Sequence, residues 1–206
     1  RDRMDHVFHF PGEVSAATKL PLLGHIPHVS IFKNLREDKN QIADLKTFDN
    51  DNKVSDKKDR YQRFFYQEAF RNLYTSIRFL NSNEGIKTLL ITSSIPKEGK
   101  TLINVLLAKT LSELGVKTLL IDSDLRKPSI HYRLGLNNIL GLSNLLTDLK
   151  LTPEDVIQNL SNFKDWDIMT AGTIPPDPTR LLGSNRLKNI LDEIKSSNKY
   201  DVILFD

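Results

Sequence analysis

The chain has 206 residues, 39% hydrophobic and 27% charged, enough for one well-buried α/β domain with flanking segments and not the composition of a disordered chain. Its 29 lysines and arginines nearly balance 26 aspartates and glutamates, so the net charge is only +3 and no basic block argues for nucleic acid. Cysteine is absent, which excludes disulfides, thiolate metal sites and a cysteine nucleophile.

The chain opens on Arg1 and stops at Asp206 directly after an apolar run, so a longer parent polypeptide is expected. No secretory signal and no apolar run near membrane-span length is visible. Residues 1–47 form the first unit, broken by Pro11, Pro21 and Pro27, with one short helix expected over 14–19. Residues 48–60, "FDNDNKVSDKKDR", have a polar linker composition. From 61 to 206 the pattern alternates. Residues 61–81 read as a helix with Phe65, Leu73, Ile77 and Leu80 near one face. Residues 87–93, "KTLLITS", read as a buried strand. Residues 100–114 read as a helix that offers Leu102, Val105, Leu106 and Leu114 to a core and stops at Gly115. A strand follows over 117–122. Thr152 caps a short helix that has Pro153 first and Asp155 in its first turn. A strand is expected over 166–170. Asp177 caps a helix that opens on Pro178 and runs to about 197, and 200–205, "YDVILF", is the closing strand. Strands alternating with helices, three of them near-continuous apolar runs, predict a mostly parallel α/β sheet with helices on both faces.

The turn between the first strand and its helix carries "SIPKEGKT" at 94–101. This is the P-loop pattern with Ser94 in place of the first glycine. Phosphate oxygens need several backbone N–H donors aimed at one point, and a helix N-terminus adds positive potential. Gly99 lets the backbone approach, Lys100 reaches the β- and γ-phosphates, and the Thr101 hydroxyl ligates Mg²⁺. The expected nucleotide-binding set is Ser94, Pro96, Lys97, Glu98, Gly99, Lys100, Thr101 and Leu102, joined by Arg126. The expected cofactors are ATP and Mg²⁺. The second strand ends in "LLIDSDLRKP". Ligands of open α/β sheets sit outside the carboxyl ends of the strands, so Asp122 and Asp124 would face the nucleotide. They could hold Mg²⁺ directly or through water, and one could accept a proton from an attacking hydroxyl. The bland alternative is a solvated turn capped by aspartate. The closing strand repeats the pattern and ends in Asp206, which suits an Mg²⁺-holding aspartate.

These segments together resemble the bacterial protein-tyrosine kinases of capsule and exopolysaccharide export, P-loop proteins whose motifs are called Walker A, Walker A′ and Walker B. They map to 94–101, 119–126 and 202–206. "EAFRNLYTSIRF", "GLSNLL" and "AGTIPPDPTRLL" are also similar, and "LPLLGHIP" resembles the segment that follows the second membrane span of polysaccharide co-polymerases. The resemblance implies transfer of the ATP γ-phosphoryl to tyrosines of a C-terminal tail, between subunits of a ring, at the cytoplasmic face of the bacterial inner membrane. It implies that Lys100, Asp122, Asp124 and Asp206 are catalytic, that Thr101, Asp122 and Asp206 serve Mg²⁺, and that Asp124 assists deprotonation of the tyrosine. The implied partners are other subunits, through a helix bearing Glu68 and Arg71, a membrane-spanning chain-length domain of the same polypeptide, a tyrosine-rich tail and a cognate phosphatase. Tyr74 stands where the family's helix has its last arginine.

The competing functions are a MinD- or ParA-type ATPase and a scaffold whose nucleotide site only controls assembly. The first usually carries a second lysine early in the P-loop, where this chain has Ile95. The spacings His6/His9 and His25/His28 lack acidic or cysteine partners and read as surface or packing positions. Pro175, Pro176 and Pro178 read as a rigid loop entering a helix. Phe64, Phe65, Phe70 and Phe79 read as core or subunit interface.

Overall fold

The structure, a computed structural model, describes residues 8, 10–27, 57–80, 85–95, 98–160 and 163–206. His6, His9, His28, Pro96, Lys97 and the polar stretch up to residue 56 lie outside the described residues.

Helix α1, Pro11–Thr18, starts earlier than expected because proline at the first position has no N–H to leave unpaired. The Phe10 N–H donates to the Glu13 carboxylate at 3.3 Å, and Lys19 closes the helix in a left-handed conformation. Helix α2, Lys57–Leu80, begins inside the segment whose composition suggested linker. Its buried stripe is Tyr66, Phe70 and Ile77, with Leu73 and Tyr74 packed beside them. Phe65 and Leu80, expected on this face, are instead 59% and 55% exposed. For Phe65 the reason is angular: with about 100° per residue, Tyr66 falls within about 20° of Leu73, whereas Phe65 falls about 80° away; Leu80 is the last residue of the helix. Of the four phenylalanines of this helix, only Phe70 is core.

The sheet has the order β1-β5-β2-β4-β3. Strands β1 (Thr88–Leu90), β5 (Val202–Phe205), β2 (Thr118–Ile121) and β4 (Trp166–Met169) run parallel, and β3 (Ile157–Asn159) is antiparallel to β4. Leu120 is level with Leu204 and Ile168. Successive strand residues point to opposite faces. Leu120, Leu204 and Ile168 therefore pack with Val105, Leu106 and Leu111 of α3 (Lys100–Glu113) and with Tyr66 and Phe70 of α2. Leu119, Ile121, Met169 and Ile203 pack on the other face with Ile190 and Ile194. The expected sheet with helices on both faces is what forms. Leu114, expected in the core, caps α3 and is 45% exposed.

Three short elements were not foreseen: α4 (Ile130–Leu134), α5 (Leu142–Thr147) and β3. Helix α6, Pro153–Val156, is capped as expected, with both the Thr152 N–H and its hydroxyl donating to Asp155 at 2.8 and 2.9 Å. The single helix expected from Pro178 to about 197 is two helices, α7 (Pro178–Leu182) and α8 (Asn185–Ser196). Gly183 ends the first and Ser184 caps the second, its Oγ accepting the Leu187 N–H at 3.3 Å.

Candidate active site

The parallel sheet brings the ends of β1, β5 and β2 to one edge, where α3 begins. Gly99 precedes α3 with φ 96°, a left-handed conformation that a side chain would strain. The loop before it is closed by Glu98, whose Oε2 accepts the N–H groups of Ser94 at 2.9 Å and Ile95 at 3.3 Å. The Ser94 hydroxyl donates to the same oxygen at 3.1 Å, a bond that glycine could not make.

Lys100 is the first residue of α3 and its ammonium lies between two carboxylates. Its Nζ is 3.4 Å from Asp206 Oδ1 and 3.7 Å from Asp124 Oδ2. Asp206 is buried at the end of β5, and Asn104 Nδ2, one turn along α3 from Lys100, donates to its Oδ1 at 3.0 Å. The second oxygen, Asp206 Oδ2, is buried without a hydrogen-bond partner among the described residues. The Ser123 hydroxyl donates to the Asp206 carbonyl at 2.5 Å and ties the end of β2 to the end of β5.

Asp122 and Asp124 are held differently. Asp122 is fully buried; its Oδ1 accepts the Asp124 N–H at 3.2 Å, and its Oδ2 accepts the N–H groups of Ser129 at 3.2 Å and Ile130 at 3.1 Å. Burial pushes its pKa up to about 6, the backbone donor of Ile130 works against that shift, and the neighbouring Asp206 charge adds to it. Asp124 is more open. Its Oδ1 accepts the N–H groups of Arg126 at 3.3 Å and Lys127 at 3.0 Å, the aspartate turn of the bland reading, while Oδ2 faces Lys100. The aspartate turn and the carboxylate oxygen that faces Lys100 belong to the same residue.

Tyrosine-protein kinase YwqD of Bacillus subtilis is 39% identical over 139 residues, 68% of this chain and 57% of its own length. This chain is a relative of the bacterial tyrosine-protein kinases. It spans little more than half the length of that relative. The BceF tyrosine kinase domain superposes with a TM-score of 0.75 at 27% identity, covering 96% of this chain and 75% of that one. The kinase domain of the Escherichia coli tyrosine kinase ETK gives 0.73 at 26% identity, covering 93% and 70%. No protein-family profile matches the chain.

Lys100, Asp124 and Asp206, expected from the sequence, thus converge, with the buried Asp122 close to Asp206. Thr101 is the second residue of α3. Leu102 belongs to the core, so only its backbone could face a phosphate. Arg126 turns the other way, its Nη2 donating to Thr179 Oγ1 at 3.1 Å. Glu68 and Arg71 are half exposed on α2 and 3.9 Å apart.

The sequence reading missed Asn104 and Ser123. Asn104 had a signal, a polar residue inside "LINVLL" four positions after the motif lysine. Ser123 had none beyond lying between two aspartates. It also missed why "GLSNLL" and "AGT" belong together. A Cβ on Gly141 would lie 2.2 Å from the Thr170 carbonyl and 2.3 Å from the Gly172 nitrogen. Leu142 and Ser143 donate backbone N–H groups to Thr170 and Ala171 at 2.8 and 2.9 Å, and Ser143 Oγ donates to the Thr173 carbonyl at 2.5 Å. Asn138 exchanges two bonds with Gly172, both 2.9 Å. This network fixes the segment that leads to Pro178 and Thr179.

Proposed function

We propose that the protein is an ATP-dependent protein-tyrosine autokinase that regulates capsular or exopolysaccharide polymerisation and export. The observation that carries the reading is Asp124 Oδ2, a carboxylate oxygen beside the ammonium of Lys100 that its backbone donors leave open. A tyrosine hydroxyl has a pKa near 10 and needs a base at neutral pH. A base within reach of the phosphate-binding lysine serves a protein acceptor. The names of the related chains support the same activity.

The residues present fit ATP and Mg²⁺. Lys100 and the α3 N-terminus offer positive charge to the phosphates, and the buried Asp206 Oδ2, without a partner among the described residues, is an acceptor that a cation would satisfy. Thr101 and Asp206 would hold Mg²⁺ directly, and Asp122, its oxygens already taking three backbone N–H groups, through water. When bound, the ion neutralises charge that develops on the phosphates. Asn104 orients Asp206, and Asp124 takes the phenolic proton.

The same reading places the protein at the cytoplasmic face of the bacterial plasma membrane. A membrane-spanning chain-length domain of the same polypeptide, a tyrosine-rich tail as substrate and a cognate phosphatase are its partners. No helix among the described residues is long and apolar enough to cross a membrane. Ring assembly would use Glu68 and Arg71, both on the exposed side of α2. Tyr74 is packed against the core beneath the Arg78 guanidinium, 5.9 Å from its ring centre.

The test is phosphoryl transfer to tyrosine by the full-length protein, paired with a nucleotide-binding assay. Asp124→Asn keeps the size but cannot take the proton, so transfer should fall by about 10²–10⁴ while ATP affinity is kept. Full transfer by this variant would remove Asp124 from the catalytic set.

A further inference from the structure

We propose that a cavity at the edge of the sheet opposite the candidate active site binds the side chain of a phosphotyrosine. The proposal rests on the kinase reading for the source of that group, a phosphorylated tail, and on the cavity itself for its recognition. The parallel strands β1 and β5 begin at this edge. Lys87 leads into β1, Asp201 leads into β5, and Tyr74 and Arg78 of α2 line the cavity beside them. Val202 is at its wall and Asp206 is at the other end of β5, about 13 Å away at about 3.3 Å per residue. An occupant here would therefore leave the nucleotide edge free.

The cavity has a volume of about 300 Å³, at the small end of the range for small-ligand sites. That suits one ring and its substituent and not a whole nucleotide. Its floor is apolar: Ile77, Leu107, Leu111 and Val202 are buried, and Leu89 packs against the same core.

The rim supplies donors and positive charge. The Arg78 guanidinium carbon lies 5.9 Å from the centre of the Tyr74 ring. Lys87 Nζ donates to Asn198 Oδ1 at 2.8 Å, a neutral partner that leaves the ammonium charge uncompensated. Among the described residues neither cation is in an ion pair. Burial raises the pKa of Tyr74, Arg78 works against that shift and Asp201 adds to it, so the hydroxyl stays a donor. Asp201 puts a carboxylate on this rim, but its Oδ2 accepts the Lys117 N–H at 2.9 Å. Lys117 leads into β2, on the far side of β5 from Lys87, so that carboxylate is held toward β2.

Two unpaired cations above an apolar floor specify an aromatic group that ends in a multiply charged anion. Tyrosine lacks the charge and phosphothreonine lacks the ring. Phosphotyrosine has both, with a charge near −2 and three acceptor oxygens for Arg78 and Lys87.

The experiment uses the full-length protein, dephosphorylated and saturated with ADP and Mg²⁺, and a synthetic peptide with a single phosphotyrosine titrated by calorimetry. The phosphopeptide should bind about tenfold or more tighter than the same peptide carrying tyrosine or phosphothreonine. Arg78 and Lys87 are exposed, so Arg78→Gln and Lys87→Met should fold. Each should weaken phosphopeptide binding about tenfold or more, the worth of a charge-assisted contact, with ADP affinity unchanged. Absence of phosphopeptide binding, equal binding of the phosphothreonine peptide, displacement of ADP by the phosphopeptide, or unchanged affinity in both variants overturns the assignment and leaves the kinase reading standing. No tyrosine phosphorylation by the wild type, with phosphopeptide binding that both variants weaken, overturns the kinase reading and leaves the assignment standing.

Discussion

At the scale of single residues, the site is a contest between one ammonium and three carboxylates. Lys100→Met removes the charge that faces Asp124 and Asp206 and would face the phosphates. ATP binding should weaken by about 1.5–3 kcal/mol, the worth of a charge-assisted contact, and calorimetry on both proteins measures it. Equal affinities would sink the assignment of Lys100. Asp122 makes a different prediction. Burial holds its pKa near 6, above the usual 3.8, so the folded chain favours the protonated acid. A group whose folded pKa is raised contributes fully below its unfolded pKa, and that contribution is lost as pH rises through the folded value. The ligand-free wild type should therefore lose stability relative to Asp122→Asn as pH rises from about 4 to about 7. Melting temperatures of the two proteins across that range should draw apart in that direction, and parallel profiles would show that Asp122 does not titrate as its burial requires.

At the scale of elements, the loops matter more than the strands and helices they join. Gly141 and Gly172 approach so closely that neither can carry a side chain, and the neighbours a Cβ on Gly141 would meet are backbone atoms that cannot swing aside. Gly141→Ala should cost about 1–3 kcal/mol, read from denaturant unfolding. Gly12→Ala, where a Cβ meets open space, should be near neutral or slightly stabilising. Similar losses at both positions would mean that the contact between the two loops contributes nothing. The split between α7 and α8 is also an element-level fact. Gly183 and Ser184 read as ordinary helix interior when the apolar pattern on either side is followed, and only the accepted Leu187 N–H shows the serine as a cap.

At the scale of the whole molecule, the described residues before α2 touch that helix at Gly24 and join its core at Ile26. Ile26 packs on the α2–α3 side of the core, and a Cβ on Gly24 would touch Leu73 at 3.4 Å. A chain beginning at Lys57 should keep its ATP affinity and lose about 1–2 kcal/mol of stability as Ile26 uncovers apolar surface. Calorimetry and thermal melts measure the two quantities, and loss of binding in a folded truncated chain would join this segment to the site.

The sequence by itself determined the class of the fold and singled out most of the residues that meet at the candidate site. Those are encoded locally, in apolar strand runs that alternate with helices and in motifs such as "SIPKEGKT" and "LLIDSDLRKP" whose chemistry is readable residue by residue. Tertiary structure alone decided that Asp206 and Asn104 meet, that Asp122 is buried under three backbone donors while Asp124 stays open, and that Thr179 faces Arg126. The meetings of Asp206 with Asn104 and of Thr179 with Arg126 depend on strand order, whereas the donors to Asp122 lie within eight residues of it. Residues 80 or more positions apart become neighbours because β5 inserts between β1 and β2, and no local pattern records which strand lies beside which. The same holds for the stripe of α2: its periodicity admitted Phe65 or Tyr66, and only packing against α3 and the sheet selected Tyr66.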